Sequence, residues 1–177
     1  QVGPPGLITP AVLAALEGPY NAARAALGLS PDVGLAALAD EGVLSFAPPS
    51  LHDPSVPLPR NFVSFRPVAL DRSSSARLPA WAERIGQGRP VVYATLGTVF
   101  NQPKYELPFF PAVLDGLRDE PLDLVITVGP DVDPASLGHQ PANVHVERYL
   151  AQSLLFPKCS VVVSHGGYGT GLAALQH

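Results

Sequence analysis

Apolar positions are spaced in two different ways along this chain. Before residue 66 they come in short bursts, interrupted by glycine and proline; after residue 89 they gather into near-continuous runs separated by mixed segments. In the first part, Val12–Leu29 is rich in Ala and Leu and reads as helix. Gly18-Pro19 is expected to break it near the middle, Asn21-Ala22-Ala23-Arg24 to reopen it and Gly28 to end it. Gly42–Phe46 and Asn61–Phe65 read as short strands, with a loop from Pro48 to Pro59 between them. From Arg66 to Leu78 periodicity is lost around Ser73-Ser74-Ser75, as in a linker, and Leu78–Ile85 reads as a short helix.

From residue 89 the pattern changes. Pro90 leads into a buried strand at about 91–96, which ends at the Gly97-Thr98 turn. Phe109–Leu117 reads as helix. A second buried strand at about 123–128 closes on Gly129-Pro130, and a more polar one follows at 143–147. After a short helix, Gln152–Phe156, comes a fourth strand at 160–164. Unbroken apolar strands alternating with helices are the mark of a parallel sheet covered on both faces. Ligands of such sheets bind beyond the carboxyl ends of the strands. Gly97-Thr98, Gly129-Pro130, Tyr149 and His165-Gly166-Gly167 all follow strand ends and are expected to converge on one crevice. Residues 1–66 are expected to form a separate unit whose two strands lack partners for a sheet of their own.

Composition narrows the function classes. With 177 residues, 46% hydrophobic and 15% charged, the chain has enough apolar content for a packed core and too much for a disordered one. A net charge of −4 gives no pull toward nucleic acid or an anionic membrane. No apolar run approaches a membrane span. The single cysteine, Cys159, excludes an internal disulfide and fits a reducing, cytoplasmic compartment. Cys and His are too few for a structural zinc site. There is no methionine, so Gln1 is not expected to be the native start.

The richest chemistry lies in Val161-Val162-Val163-Ser164-His165-Gly166-Gly167-Tyr168-Gly169-Thr170. A strand feeds a glycine-rich turn that opens an Ala/Leu helix. A helix start presents N–H groups and the positive end of its dipole, which suits a phosphate. Glycines let the backbone approach a pyrophosphate closely. By itself the motif is equally a tight turn that holds nothing. Gly167-x-Gly169-x-Gly171 lacks the G-x-G-x-x-G spacing of a dehydrogenase.

Three elements in order carry a resemblance: Thr95-Leu96-Gly97-Thr98, Arg148-Tyr149-Leu150-Ala151-Gln152 with Leu154-Leu155, and His165-Gly166-Gly167-Tyr168-Gly169-Thr170. Over residues 89–177 the sequence resembles nucleotide-sugar-dependent glycosyltransferases of the two-Rossmann-domain (GT-B) fold, nearest the bacterial enzymes that glycosylate macrolides and other natural products. Asn21-x-x-Arg24-x-x-Leu27-Gly28-Leu29, the proline-rich loop and Leu58-Pro59 resemble the end of that family's acceptor domain. The resemblance implies an α/β fold made of three parts: the end of the acceptor-binding domain (1–66), an interdomain linker (67–88) and the first half of the donor-binding domain (89–177). It implies an inverting transfer from a UDP- or dTDP-sugar to a hydroxyl of a small-molecule acceptor, with no metal and no other cofactor. In residue terms, Gly97-Thr98 would lie near the donor's ribose and phosphates, Tyr149 would stack on its base, and Gln152 would contact base or ribose. His165, with Gly166 and Gly167, would meet the diphosphate, together with the helix start at Gly169-Thr170. Tyr149 stands where Trp is commoner, and Ala151 where Pro is usual. The family's catalytic base would lie upstream of residue 1 and its sugar-binding acidic-glutamine motif beyond His177, so the fragment alone is expected to be inactive. A non-catalytic nucleotide-sugar-binding subunit is the alternative.

The remaining candidates read as ordinary structure. Thr95 reads as a strand residue without a donor role. His52, His139 and His145 read as surface, Cys159 as a buried structural thiol, and Asp131 and Asp133 as solvated loop carboxylates.

Overall fold

A computed structural model of the chain describes residues 10–38, 42–58, 60–66, 77–98, 100 and 108–177. Pro59, Ser73-Ser74-Ser75 and the 67–76 part of the expected linker lie outside them. The contacts divide the chain into two units, Gln1–Arg66 and Pro67–His177.

In the first unit, α1 spans Pro10–Ala26 and runs without interruption through Gly18-Pro19, against the expected break. Pro19 removes one N–H from the helical ladder, yet flanking Ala and Leu residues favour helix strongly enough to carry it across. The end falls where glycine dictates. Gly28 sits at φ +72, and Leu29 N–H donates to Arg24 O at 2.9 Å, the long return bond of a left-handed helix stop. Two short turns follow over Val33–Leu38, separated by a kink at Gly34 and Leu35, whose φ angles are +75° and +58°. The two short strands, β1 (Val43–Ser45) and β2 (Phe62–Ser64), do find a partner: they pair with each other in parallel, Leu44 opposite Val63. His52 is not a surface residue. It is half-buried, and its ring meets Phe62 edge-on at 4.9 Å.

The second unit is built on a four-stranded sheet: β3 (Val91–Thr95), β4 (Asp123–Thr127), β5 (Val144–Glu147) and β6 (Val161–Ser164). All three pairings are parallel, and the order across the sheet is β5-β4-β3-β6. Alternation along the central strands supplies two cores. Val92, Ala94, Leu124 and Ile126 face α2 (Phe109–Leu117), which packs Phe110 and Leu114 against them. Val91, Tyr93 and Val125 face the other way, toward Leu150, Leu155 and Phe156 from the segment around α3 (Gln152–Leu155). Burial on both faces is why these strands read as unbroken apolar runs.

The stretch around Trp81 forms a short 3-10 turn, Ala80–Glu83, and not the helix expected over Leu78–Ile85. Its Ala82 and Ile85 are buried in the second core, so the segment packs as part of this unit. Trp81 lies flat on His145, with ring centroids 4.1 Å apart and planes 3° from parallel, and its indole N–H donates to Glu147 at 3.1 Å. His145 is therefore half-buried in a stack and not a surface residue; desolvation, with the Arg84 charge adding to it, lowers its pKa against the opposing pull of Asp123 and Glu147.

Candidate functional site

The strand order places the site. From β3 the chain steps outward to β4 and β5, then returns to put β6 on the opposite side of β3. The strand order switches between β3 and β6, and the first residues after these two strands edge the crevice at the carboxyl ends of the strands where ligands of open parallel sheets bind. Those residues are Leu96-Gly97-Thr98 after β3 and His165-Gly166-Gly167 after β6.

His165 fills the gap between the two loops. A Cβ built on Gly97 would lie 2.8 Å from His165 Cε1, and one built on Gly167 would overlap His165 Nε2. The imidazole thus occupies the space that two side chains would otherwise take. Gly97 is required twice over, since its φ of +69 is also unfavourable for any residue with a Cβ. Phe100 borders the same ring at a centroid distance of 5.0 Å. His165 itself is exposed, so its polar edge is available at the mouth of the crevice.

Beyond His165 the chain enters α4 (Tyr168–Ala174), with Gly167 at its cap. The bond from Gly171 N–H to Gly167 O, 2.9 Å, opens the helix, so the N–H groups of Gly169 and Thr170 belong to its first turn, which has no intrahelical acceptors. Gly166 is tied back by its N–H to Ser164 Oγ at 3.2 Å. Thr170 is buried, whereas Gly169 and Thr98 are exposed.

The other two candidates lie on the β5 side. Tyr149 follows β5 and leaves 67% of its surface exposed. Its neighbour Arg148 holds the preceding loop, donating to Pro130 O at 2.8 Å. Gln152 opens α3 and turns its amide inward, Nε2 donating to Tyr93 Oη at 3.1 Å. That contact leads into a polar chain hidden from sequence reading. Tyr93 Oη meets Thr127 Oγ1 at 2.7 Å, Thr127 Oγ1 donates to Thr95 Oγ1 at 2.9 Å, and Gly97 N–H donates to Thr95 Oγ1 at 3.1 Å. The signal was present as Tyr93 and Thr95 two apart on one strand face, with a Thr closing the neighbouring apolar run.

The other residues singled out in the sequence fall outside the crevice loops. Asp133 caps a 3-10 turn through Ala135 N–H at 3.3 Å and pairs with Arg148 at 3.5 Å on the surface. His139 is exposed. Cys159 is partly buried, its thiol donates to Leu155 O at 3.5 Å, and burial pushes its pKa to about 11. Among the described residues no group of His, Cys, Asp and Glu side chains is arranged to hold a metal ion, and no helix is long and apolar enough to cross a membrane.

No protein-family model matches the chain. It is 40% identical over 99 residues to 4'-demethylrebeccamycin synthase of Lentzea aerocolonigenes, a match covering 56% of this chain and 22% of that protein. Among solved structures, the glycotransferase of kitacinnamycin superposes with a TM-score of 0.63 at 28% identity, over 92% of this chain and 41% of that one. The glycosyltransferase VinC, solved in complex with dTDP, superposes with a TM-score of 0.52 at 28% identity, over 67% of this chain and 28% of that one. The curated relatives this chain matches are natural-product glycosyltransferases, and its fold is that of part of the GT-B glycosyltransferase structures. It spans well under half the length of the proteins it matches.

Proposed function

We propose that this chain is the donor-binding part of an inverting glycosyltransferase, which moves a sugar from a dTDP- or UDP-sugar to a hydroxyl of a natural-product-like acceptor. The observation that carries the reading is the placement of His165 between Gly97 and Gly167 in the crevice between β3 and β6. An exposed imidazole edge beside the first turn of α4 offers hydrogen-bond donors to the two phosphates of a nucleoside diphosphate. Tyr149 lies at the end of β5, three strand spacings from β6, or roughly 14 Å. An extended nucleoside diphosphate bridges that separation, with the base on the exposed Tyr149 ring and the diphosphate at His165. VinC, which binds dTDP, supports dTDP as one of the donors to test.

In this mechanism the acceptor hydroxyl attacks the anomeric carbon while the bond to the diphosphate breaks. Negative charge grows on the leaving diphosphate, and donors fixed before the reaction stabilise it without reorganising. Gly97 and Gly167 leave the space in which the His165 ring sits. No metal is needed where imidazole and helix N–H groups meet the charge. None of the described residues is assigned as the catalytic base, and the 177-residue chain is expected to bind nucleotide without transferring sugar. Residues 1–66 are assigned to the end of the acceptor-binding domain and 89–177 to the donor-binding domain. The single cysteine supports a cytoplasmic enzyme.

Calorimetric titration of the chain with dTDP, UDP and NAD tests the reading. Binding of dTDP or UDP, with none of NAD, is the expected result. Preference for NAD, or no binding of any nucleotide, would remove it.

A further inference from the structure

The polar chain beneath the crevice joins its two sides. Gln152 belongs to the side reached from β5, and Gly97 to the loop that cradles His165; between them stand Tyr93, Thr127 and Thr95, all buried. The bonds run from Gln152 Nε2 to Tyr93 Oη (3.1 Å), between Tyr93 Oη and Thr127 Oγ1 (2.7 Å), from Thr127 Oγ1 to Thr95 Oγ1 (2.9 Å), and from Gly97 N–H to Thr95 Oγ1 (3.1 Å).

The directions of the Thr127 and Tyr93 hydroxyl protons follow. Thr127 spends its one hydroxyl proton on Thr95, so it must accept from Tyr93, whose hydroxyl therefore donates. Tyr93 oxygen is then left to accept from Gln152. A chain with a single consistent polarity resists rotation of any one member, because turning one hydroxyl leaves a buried neighbour unpaired. The backbone register makes the chain possible: Thr95 is paired directly with Thr127 across β3 and β4, and Tyr93 lies on the same face two residues earlier. A sheet interior needs no hydroxyls for packing. Phe and Val would fill these positions with less risk of an unsatisfied polar atom.

We propose that Tyr93, Thr127 and Thr95 are positioning residues for the donor nucleotide, holding Gln152 and the Gly97 loop in one fixed relation. The inference rests on the donor-site reading above. None of the three touches the ligand; they act through Gln152 on one side and Gly97 on the other. A nucleoside diphosphate that spans the crevice is then met by two contact groups already in register, which lowers the ordering cost of binding.

The test uses the 177-residue chain with dTDP and UDP, measured by calorimetry, with a thermal melt for each variant. Thr127→Val keeps shape and removes the hydroxyl; Tyr93→Phe does the same at the next link. Each is expected to weaken the nucleotide that the wild type binds by about tenfold. Thr127→Ser restores the hydroxyl and is expected to recover the affinity, even where its melting temperature stays below wild type. Tyr93→Phe combined with Gln152→Leu is expected to lose no more affinity than the more damaging of the two alone, since both break one chain. Wild-type affinity in Thr127→Val and Tyr93→Phe would overturn the proposal while leaving the donor site standing. So would equal losses in Thr127→Ser and Thr127→Val, or additive losses in the double variant. Absence of binding in the wild type would overturn both the donor reading and this proposal.

Discussion

Gly167→Ala isolates the placement of His165 from every other property of the crevice. Gly167 has φ −58 and ψ 137, a backbone conformation open to any L residue, so alanine introduces no strain there. Its Cβ, however, would overlap His165 Nε2. The imidazole is exposed and joined to its backbone by rotatable bonds, so it gives way by swinging out and the backbone stays. The variant therefore removes His165 from its position without deleting it. A hydrogen bond to a charged partner contributes about 1.5–3 kcal/mol, so affinity for a nucleoside diphosphate should fall roughly 10- to 150-fold. Loss of glycine at the cap of α4 adds a stability cost of at most about 1 kcal/mol, visible in a thermal melt and separable from binding. Titration calorimetry of the wild type, Gly167→Ala, His165→Ala and the double variant closes the cycle. The two single variants should lose similar affinity, and the double should lose no more than either. Wild-type affinity in Gly167→Ala beside a large loss in His165→Ala would show that the ring acts from another position. Wild-type affinity in both would make His165 a structural residue.

Three further outcomes follow from particular side chains. Tyr149→Phe keeps the ring that would face the base, so its effect on nucleotide affinity should stay within about 1 kcal/mol, well below that of His165→Ala; a larger loss would make the hydroxyl, and not the ring, the contact. The lowered pKa of His145 means that the folded chain binds its proton less readily than the unfolded chain, so stability present above about pH 6.5 is lost as pH falls through the folded value. The melting temperature should therefore drop between pH 7 and pH 5 less in His145→Phe, which keeps the stack on Trp81, than in the wild type; equal drops would refute the assignment. Cys159, with its thiol pushed to about 11, should react with iodoacetamide at pH 8 at least about tenfold more slowly in the folded chain than in urea.

The sheet was legible because its central strands, β3 and β4, are buried on both faces, and because the runs at 91–96, 123–128 and 160–164 carry little else but apolar residues, although β6 itself is only partly buried. Even the polar third strand was marked by alternation in Val144-His145-Val146-Glu147. Strand order was not legible, since periodicity says which face is buried and nothing about which neighbour is paired. The return of β6 to the side of β3 opposite β4, which defines the crevice, had to come from the structure. His165, Gly97 and Gly167 were each singled out in the sequence, but that the two glycines make room for the one ring is a long-range packing fact. Tyr93 and Thr127 carry no mark in the sequence, because a hydroxyl on an apolar strand shows its role only once its partner is seen. Trp81 and His145 were missed for the same reason, the turn that carries Trp81 lying far from β5 in sequence. In α1 the local break signal of Gly18-Pro19 is outweighed by the Ala/Leu content on both sides.

The most direct test is a crystal structure of the chain soaked with dTDP or UDP. The diphosphate oxygens are expected within hydrogen-bond distance of the His165 imidazole and of N–H groups in the first turn of α4, with the base against Tyr149. A nucleotide bound elsewhere on the chain, or lying in the crevice with its phosphates turned away from His165, would contradict the assignment.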